Sequence, residues 1–347
     1  MDRRTFAKSL ALAAAHPVIA STAPVGGLTA VSGIEVGHFT DPRRPTGCTA
    51  ILFRRGAVAG VDVRGAAPGT RETDLLNPLN TVQQVHAIML AGGSAFGLDT
   101  ASGAMRYLEE HGIGFRIGNQ VVPIVPAAIL YDLSVGDGHI RPDAAAGYAA
   151  CKAASAGPVA EGSIGAGAGA TIGKYFGPRS MMKSGIGTAS LSIGTTGLIV
   201  SAIVAVNAVG DVVDPSSGRI VAGARKLDGS GFIDTMGSLR QGRGRGDAGT
   251  GRNTTIGVVA TNAIFDKAQM TKIAQMAHDG LARAINPVHT TLDGDTLFAT
   301  STGMVKPSLD HGAIGAIAAS VLSEAVLRAV KQATGVLGIP AYRDLPR

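Results

Sequence analysis

The stretch Gly249-Thr250-Gly251-Arg252-Asn253-Thr254-Thr255-Ile256-Gly257-Val258-Val259-Ala260-Thr261-Asn262 joins two unlike kinds of chain. Upstream, residues 228–252 are rich in Gly and Arg, which predicts an exposed internal loop. Downstream, Ile256 to Ala260 is apolar and β-branched, which predicts a buried strand. Thr254 therefore sits where loose chain meets a rigid element. Were the Asn253–Thr254 bond to break, Thr254 would become a new N-terminus at the head of a strand. Its hydroxyl and freed α-amine would then share one residue, as a nucleophile and base pair requires. The plain alternative is a loop that leads into a core strand and does nothing more.

The rest of the composition supports a substantial core. Of 347 residues, 45% are hydrophobic and only 16% charged, which argues against disorder for the bulk of the chain. With 49 glycines and no Trp, that core is built from small aliphatic side chains and close backbone contacts. The formal net charge is +6, yet the basic residues are scattered. Only Arg240, Arg243, Arg245 and Arg252 cluster, without interleaved aromatics, so they read as a solvated loop and not as a nucleic-acid surface. Cys48 and Cys151 read as isolated thiols. None of the histidines has metal-ligand spacing, and His278 falls inside an amphipathic helix as a packing or surface residue. No run of eighteen consecutive apolar residues predicts a membrane span in the mature protein.

The first residues, MDRRTFAKSLALAAAHPVIAS, place Arg3-Arg4 ahead of Phe6 and Lys8, then a short apolar run from Leu10 to Ala15. Val18 and Ala20 are small enough for signal-peptidase cleavage after Ala20. Residues 1–20 thus look like a twin-arginine export signal, giving a periplasmic or secreted protein; residues 27–340 read as a single domain.

Along the chain, Cys48 to Phe53 and Val58 to Val63 predict a hairpin turned by Arg54-Arg55-Gly56. Asn80 to Met89 has helical spacing, and Leu98 to His111 resumes as helix. Between them, Gly92 to Gly97 lacks the order of a nucleotide-binding loop and reads as close packing. Val121 to Leu130 predicts a strand ending at Tyr131-Asp132, and Pro142 to Ser155 a helix. Gly185 to Ser192 and Leu198 to Asn207 precede a hairpin-like turn at Asn207 to Gly210. Helices follow at Asp266 to Ile285 and Ala313 to Thr334, with a tight acidic turn, Asp293-Gly294-Asp295, between them. Strands and helices come in groups, which predicts a layered α+β fold with face-to-face sheets and helices outside.

Several segments together carry a resemblance. They are GLTAVSGIEVGHFTD (27–41), AGGSAFGLDTASG (91–103), PAAILYDL (126–133), GAGAGATIGK (165–174), KSGIGTAS (183–190), VAVNAVGDV (204–212), NTTIGVVATNA (253–263) and the stretch from MAHDGLARAINPVHT to DGDT (276–296). In this order the chain resembles the L-aminopeptidase/D-esterase family of self-cleaving hydrolases, which includes β-peptidyl aminopeptidases and nylon-oligomer (6-aminohexanoate) hydrolase. The resemblance implies a four-layer αββα sandwich like that of N-terminal-nucleophile hydrolases. It implies self-cleavage at Asn253–Thr254, an α chain ending at Asn253 and a β chain running from Thr254 to Arg347.

Carried over, Thr254 is the nucleophile and its own α-amine the base, since an α-amine has a pKa near 8 (roughly 7.7–8.0). Asn207 donates its amide to the oxyanion, and Tyr131 holds the oxyanion or the substrate. Lys174 orients the nucleophile, with Lys183 a second candidate for that charge. Asp293 and Asp295 face the site and stabilise the Thr254 ammonium. No metal or organic cofactor is implied, and the partner is a small peptide or amide substrate. A homo-oligomer, a tetramer of αβ units, is implied as well. Thr at the nucleophile position and Asp-Gly-Asp in the acidic turn depart from the β-peptidyl branch and look more like the nylon-oligomer branch. The reaction expected is hydrolysis of N-terminal peptide or linear amide bonds through a Thr254 acyl-enzyme. The rival readings are an acyltransferase like the ornithine acetyltransferases, with the same Thr nucleophile, and an inactive binding homologue.

Overall fold

Arg54-Arg55-Gly56 does not turn a hairpin: Gly47–Val63 is one continuous strand of 17 residues, β2. The structure, a computed structural model, describes residues 27–243 and 252–345. The export signal expected at 1–20, and Arg245 of the basic cluster, lie outside the described residues. Gly56 has φ +76°, a left-handed conformation that glycine adopts without strain, and the pairing slips between Leu52 and Ala57. The strand bends there and passes from one sheet to a second.

The N-terminal half of β2 lies between β1 (Glu35–Thr40) and β3 (Val85–Ala91), with Cys48 opposite both Phe39 and Ala91. Parallel to β3 runs β4 (Ala127–Ile129), whose other edge takes the two-residue strand Thr70–Arg71. The C-terminal half of β2 pairs with β8 (Thr296–Val305), where Val58 faces Ser301 and Val63 faces Thr296. Next to β8 come β7 (Thr254–Ala263), parallel to it, then β6 (Ile199–Asn207) and β5 (Ile186–Ser192), each antiparallel to its neighbour.

Side-chain alternation shows how the sheets are covered. In β2, Ile51 and Phe53 join Ile88 and Leu90 of β3, Ile203 of β6, Val258 of β7 and Phe298 of β8 in one apolar layer between the sheets. Cys48, Ala50 and Leu52 point the other way, onto α1 (Thr100–Glu110) and α2 (Ala144–Lys152). Val200, Ala202 and Val204 of β6 face a third layer containing α4 (Lys267–Ala284) and α5 (His311–Gln332), while a short α3 (Thr235–Arg240) lies in the loop before β7. The order is helices, sheet, sheet, helices: the αββα sandwich expected. Helix α5 is long and apolar enough to cross a bilayer, but 67% of its most apolar window is buried within this sandwich, as befits a core helix.

Three local expectations fail for identifiable reasons. Asn80 to Met89 is not helical; its second half is β3, buried at all seven positions, and a strand covered on both faces loses the period of two. Val121 to Leu130 is not one strand. Pro123 and Pro126 separate a Phe115–Ile117/Gln120–Val122 ribbon from β4, since proline cannot donate to a ladder. Asn207 to Gly210 does not reverse the chain onto β6; it leads into Asp211–Val213, which pairs with Ile220–Ala222 and Ile285–Asn286. By contrast, the helix expected from Asp266 forms with a capping box between Asp266 and Gln269. Cys48 and Cys151 are both free and buried.

Lys183 is fully buried, and its Nζ donates to Gly167 O at 2.9 Å and to Ser184 O. Burial pulls its pKa from 10.5 to about 7, against the opposing pull of Asp132. Between those values the unfolded chain holds a proton that the folded chain lacks, so stability rises with pH across the window and falls as pH drops to 7. Wild type should therefore gain stability relative to Lys183→Met as pH rises from about 7 to 10 in denaturant titrations; a difference independent of pH would refute this. Phe298 sits at 0% exposure between the sheets. Phe298→Ala should lower the unfolding free energy by about 3–5 kcal/mol, and a loss below about 1 kcal/mol would show that the layer collapses around the gap.

Candidate active site

Three strand ends meet at one edge of the second sheet. Thr254 opens β7 directly opposite Asn207, the last residue of β6. Because β8 runs parallel to β7 and starts beside Ile256, the turn that feeds β8 is brought next to Asn253. Asn253 and Asp293 form a parallel bridge, and the Gly294 N–H donates to the Asn253 carbonyl at 2.9 Å. The Thr254 hydroxyl, on a residue 2% exposed, donates to that same carbonyl. The hydroxyl thus lies against the peptide group that precedes it.

The acidic turn is held from several sides. Asp295 Oδ1 accepts the Thr255 N–H at 2.6 Å; its Oδ2 accepts from the N–H and Nδ1 of His289 at 3.2 and 2.8 Å. Asp293 Oδ2 accepts from the N–H and hydroxyl of Thr290 at 2.9 and 2.6 Å. The 64–67 segment packs on the turn, with the N–H of Arg64 on Asp295 O and that of Ala67 on Asp293 O. Glycine is required between the two aspartates: a Cβ at 294 would stand 2.4 Å from Ala67 O and 2.9 Å from Thr254 Oγ1. His289 adopts φ +54°, and its ring packs edge-on against His278, whose Nε2 bonds Asp62 O at 3.0 Å. Burial lowers the His278 pKa to about 4, so this ring is neutral and belongs to the packing, as the sequence suggests.

On the other side of Thr254, the Lys174 ammonium donates to Asn207 O, Asn207 Oδ1 and Arg252 O at 2.8, 2.9 and 3.0 Å. Asn207 Oδ1 also accepts the Thr171 N–H at 3.0 Å, so its Nδ2 is turned toward Tyr131 O (3.0 Å) and Arg252 O (3.2 Å). Loss of solvent lowers the Lys174 pKa to about 7, while Asp293 and Asp295 pull it up. Burial, then the Asp295 charge, raises that of Asp293, with Lys174 opposing. A cation and a carboxylate pair thus face each other across the Asn253–Thr254 bond.

The structure brings together Thr254, Asn253, Asn207, Lys174, Asp293 and Asp295. Tyr131 joins them through its carbonyl. Lys183 does not join them; its ammonium is taken by Gly167 and Ser184. Sequence reasoning missed the Gly294 N–H, the Thr171 N–H and the Arg252 carbonyl, because main-chain donors and acceptors leave no trace in residue type. It also missed His289 and Thr290, although both stand in the PVHT segment beside the acidic turn.

Peptidase family S58 matches residues 27–342 of this chain. An uncharacterized aminopeptidase of Mycobacterium leprae is 44% identical over 361 residues, covering 94% of this chain and 95% of the relative. A 6-aminohexanoate-oligomer endohydrolase of Kocuria sp. is 32% identical over 320 residues, covering 86% and 84%. Among solved structures, the L-aminopeptidase D-Ala-esterase/amidase of Ochrobactrum anthropi, described as a variant of the Ntn hydrolase fold, superposes with a TM-score of 0.68 at 20% identity, covering 92% of this chain and 89% of that one. A Burkholderia sp. beta-aminopeptidase gives 0.67 at 22%, covering 92% and 90%; at such identities the likeness is one of fold. With the family matched over nearly all the described residues, the chain belongs to peptidase family S58 and is a hydrolase of amide bonds.

Proposed function

We propose that this hydrolase matures by cutting its own Asn253–Thr254 bond and then uses Thr254 as a nucleophile on linear amides or peptides. The observation that carries the reading is the convergence of the Thr254 hydroxyl and the Gly294 N–H on the Asn253 carbonyl. Attack of Thr254 Oγ on the Asn253 carbonyl carbon forms an ester as the C–N bond breaks, and the hydroxyl proton ends on the Thr254 nitrogen. Water then splits the ester, leaving a carboxylate on Asn253 and a free hydroxyl and amine on Thr254.

In this reading the Gly294 N–H is the oxyanion donor, in the place expected for Asn207; such a donor is often worth ~3 kcal/mol. Asn207 and Lys174 instead hold the chain upstream of the bond, and the Tyr131 carbonyl fixes the Asn207 amide. Asp295 anchors the start of β7 through Thr255. Asp293 is bridged to Asn253, the residue before the new Thr254 amine; that amine serves as the base because an α-amine, with a pKa near 8 (roughly 7.7–8.0), is partly neutral at neutral pH. Purified protein should run as two bands on a denaturing gel, the smaller beginning at Thr254, and Thr254→Ala should stay whole and inactive. A wild-type chain that remains intact while hydrolysing amides would sink the proposal.

The twin-arginine pattern at 1–20 supports export to the periplasm or medium, and exposed Phe115 and Ile117 on the Phe115–Ile117 ribbon give apolar surface for a homo-oligomer of αβ units. Periplasmic material should begin near Ser21 and show by light scattering a multiple of the αβ mass. A full-length cytoplasmic chain would refute export, and the mass of one αβ unit would refute assembly.

A further inference from the structure

Two consecutive residues grip the acidic turn in the same way. Thr290 gives Asp293 Oδ2 its N–H and its hydroxyl, at 2.9 and 2.6 Å. His289 gives Asp295 Oδ2 its N–H and its ring Nδ1, at 3.2 and 2.8 Å. Facing a carboxylate, which can only accept, Nδ1 is the ring nitrogen that carries the proton. The other ring nitrogen, Nε2, is buried and has no hydrogen-bond partner among the described residues, so the polar contact of the ring is directed at Asp295 alone. The rest of the ring meets His278 edge-on, with centroids 4.7 Å apart.

The other oxygen of Asp295 gives this contact its reach. In the parallel register of β7 and β8, Ile256 faces Thr296, so Asp295 falls beside Thr255. There Asp295 Oδ1 takes the Thr255 N–H at 2.6 Å. A side chain thus ties down the residue that follows Thr254. A carboxylate is planar, so the direction of Oδ1 follows from where Oδ2 is held. Without the ring N–H, Oδ2 would keep only the longer main-chain bond from His289. Asp295 is 1% exposed, so no solvent stands ready to take the place of the lost donor.

We propose that His289 is a positioning residue for the reaction at Thr254: its ring N–H fixes the Asp295 carboxylate, which through Thr255 aims the Thr254 hydroxyl at the Asn253 carbonyl. This rests on the reading of Thr254 as nucleophile. His289 acts through Asp295 and not on the reacting atoms, and a small misplacement of an attacking group is enough to slow a reaction many-fold. The competing account is that the ring only fills space against His278. The two accounts part on chemistry. Asparagine places an amide N–H near the position of Nδ1 and, like histidine, accepts the left-handed φ of +54° at this residue, but it abandons the ring packing. Phenylalanine keeps a ring against His278 and has no N–H. Glycine has neither, and is unstrained at that φ.

The test is the first-order rate of self-cleavage in freshly synthesised full-length chains, followed by intact mass; the bond lies in the chain itself, so no substrate affinity enters the rate. His289→Asn should cleave within about threefold of wild type even where its denaturant midpoint falls, while His289→Phe and His289→Gly should be slower by at least about tenfold. As a second measurement, imidazole added to the His289→Gly chain should speed cleavage, and furan, a ring of similar size without an N–H, should not. His289→Phe or His289→Gly at the wild-type rate, His289→Asn as slow as His289→Phe, or equal rescue by furan would overturn the role of His289 while leaving Thr254 catalysis standing. A wild-type chain that never cleaves would instead overturn the reading of Thr254 on which this one rests.

Discussion

The pairing of Asn207 with Thr254 across the β6–β7 ladder is the constraint on which the site depends. Side chains at opposed positions of an antiparallel pair stand side by side, so fixing the ladder fixes the distance between the end of one strand and the start of the next. A one-residue slip would turn every inward side chain of β7 outward, and Ile256, Val258 and Ala260 would lose the layer between the sheets. The apolar layer therefore sets the register, and the register sets where Thr254 stands. The parallel entry of β8 does the rest, since it brings the turn that carries Asp293, Gly294 and Asp295 to the same edge.

Charge is organised around that edge with equal economy. Lys174 meets only oxygen atoms: two from Asn207 and one from Arg252. Its enclosure works against its charge, and the two aspartates across the bond work for it. Asp293 is in the mirror-image position, with burial and Asp295 disfavouring its charge and Lys174 supporting it. Lys174 is supported by both aspartates, while Asp293 is held charged first by the Thr290 hydrogen bonds and only then by Lys174.

How much of this was legible in the residues follows from what each feature depends on. The layered α+β class, β7, α4 with its cap and the Asn253–Thr254 junction could be read because each has a local signal. The paths of β2 and β3 could not, because strands covered on both faces show an unbroken apolar run that helix and hairpin explain equally well. Choosing between Lys174 and Lys183 required knowing which one lands beside the end of β6, a matter of tertiary position. The Gly294 amide was hidden for a different reason: Asp-Gly-Asp reads as an acidic turn, and nothing in the letters says that the N–H between the two carboxylates points at Asn253.

The strand order has a topological consequence for a chain cut before Thr254. β7 and β8 would belong to the second fragment, yet they lie between β6 and β2, which belong to the first. α4 and α5 would go with the second fragment and cover the sheet that the first helps to build. The two pieces would be interleaved rather than docked, sharing backbone ladders on both flanks. They could not part without dismantling the sheet from its middle. One covalent chain would become two that unfold as one body, and reassembly from separated fragments would turn from a unimolecular event into a bimolecular one.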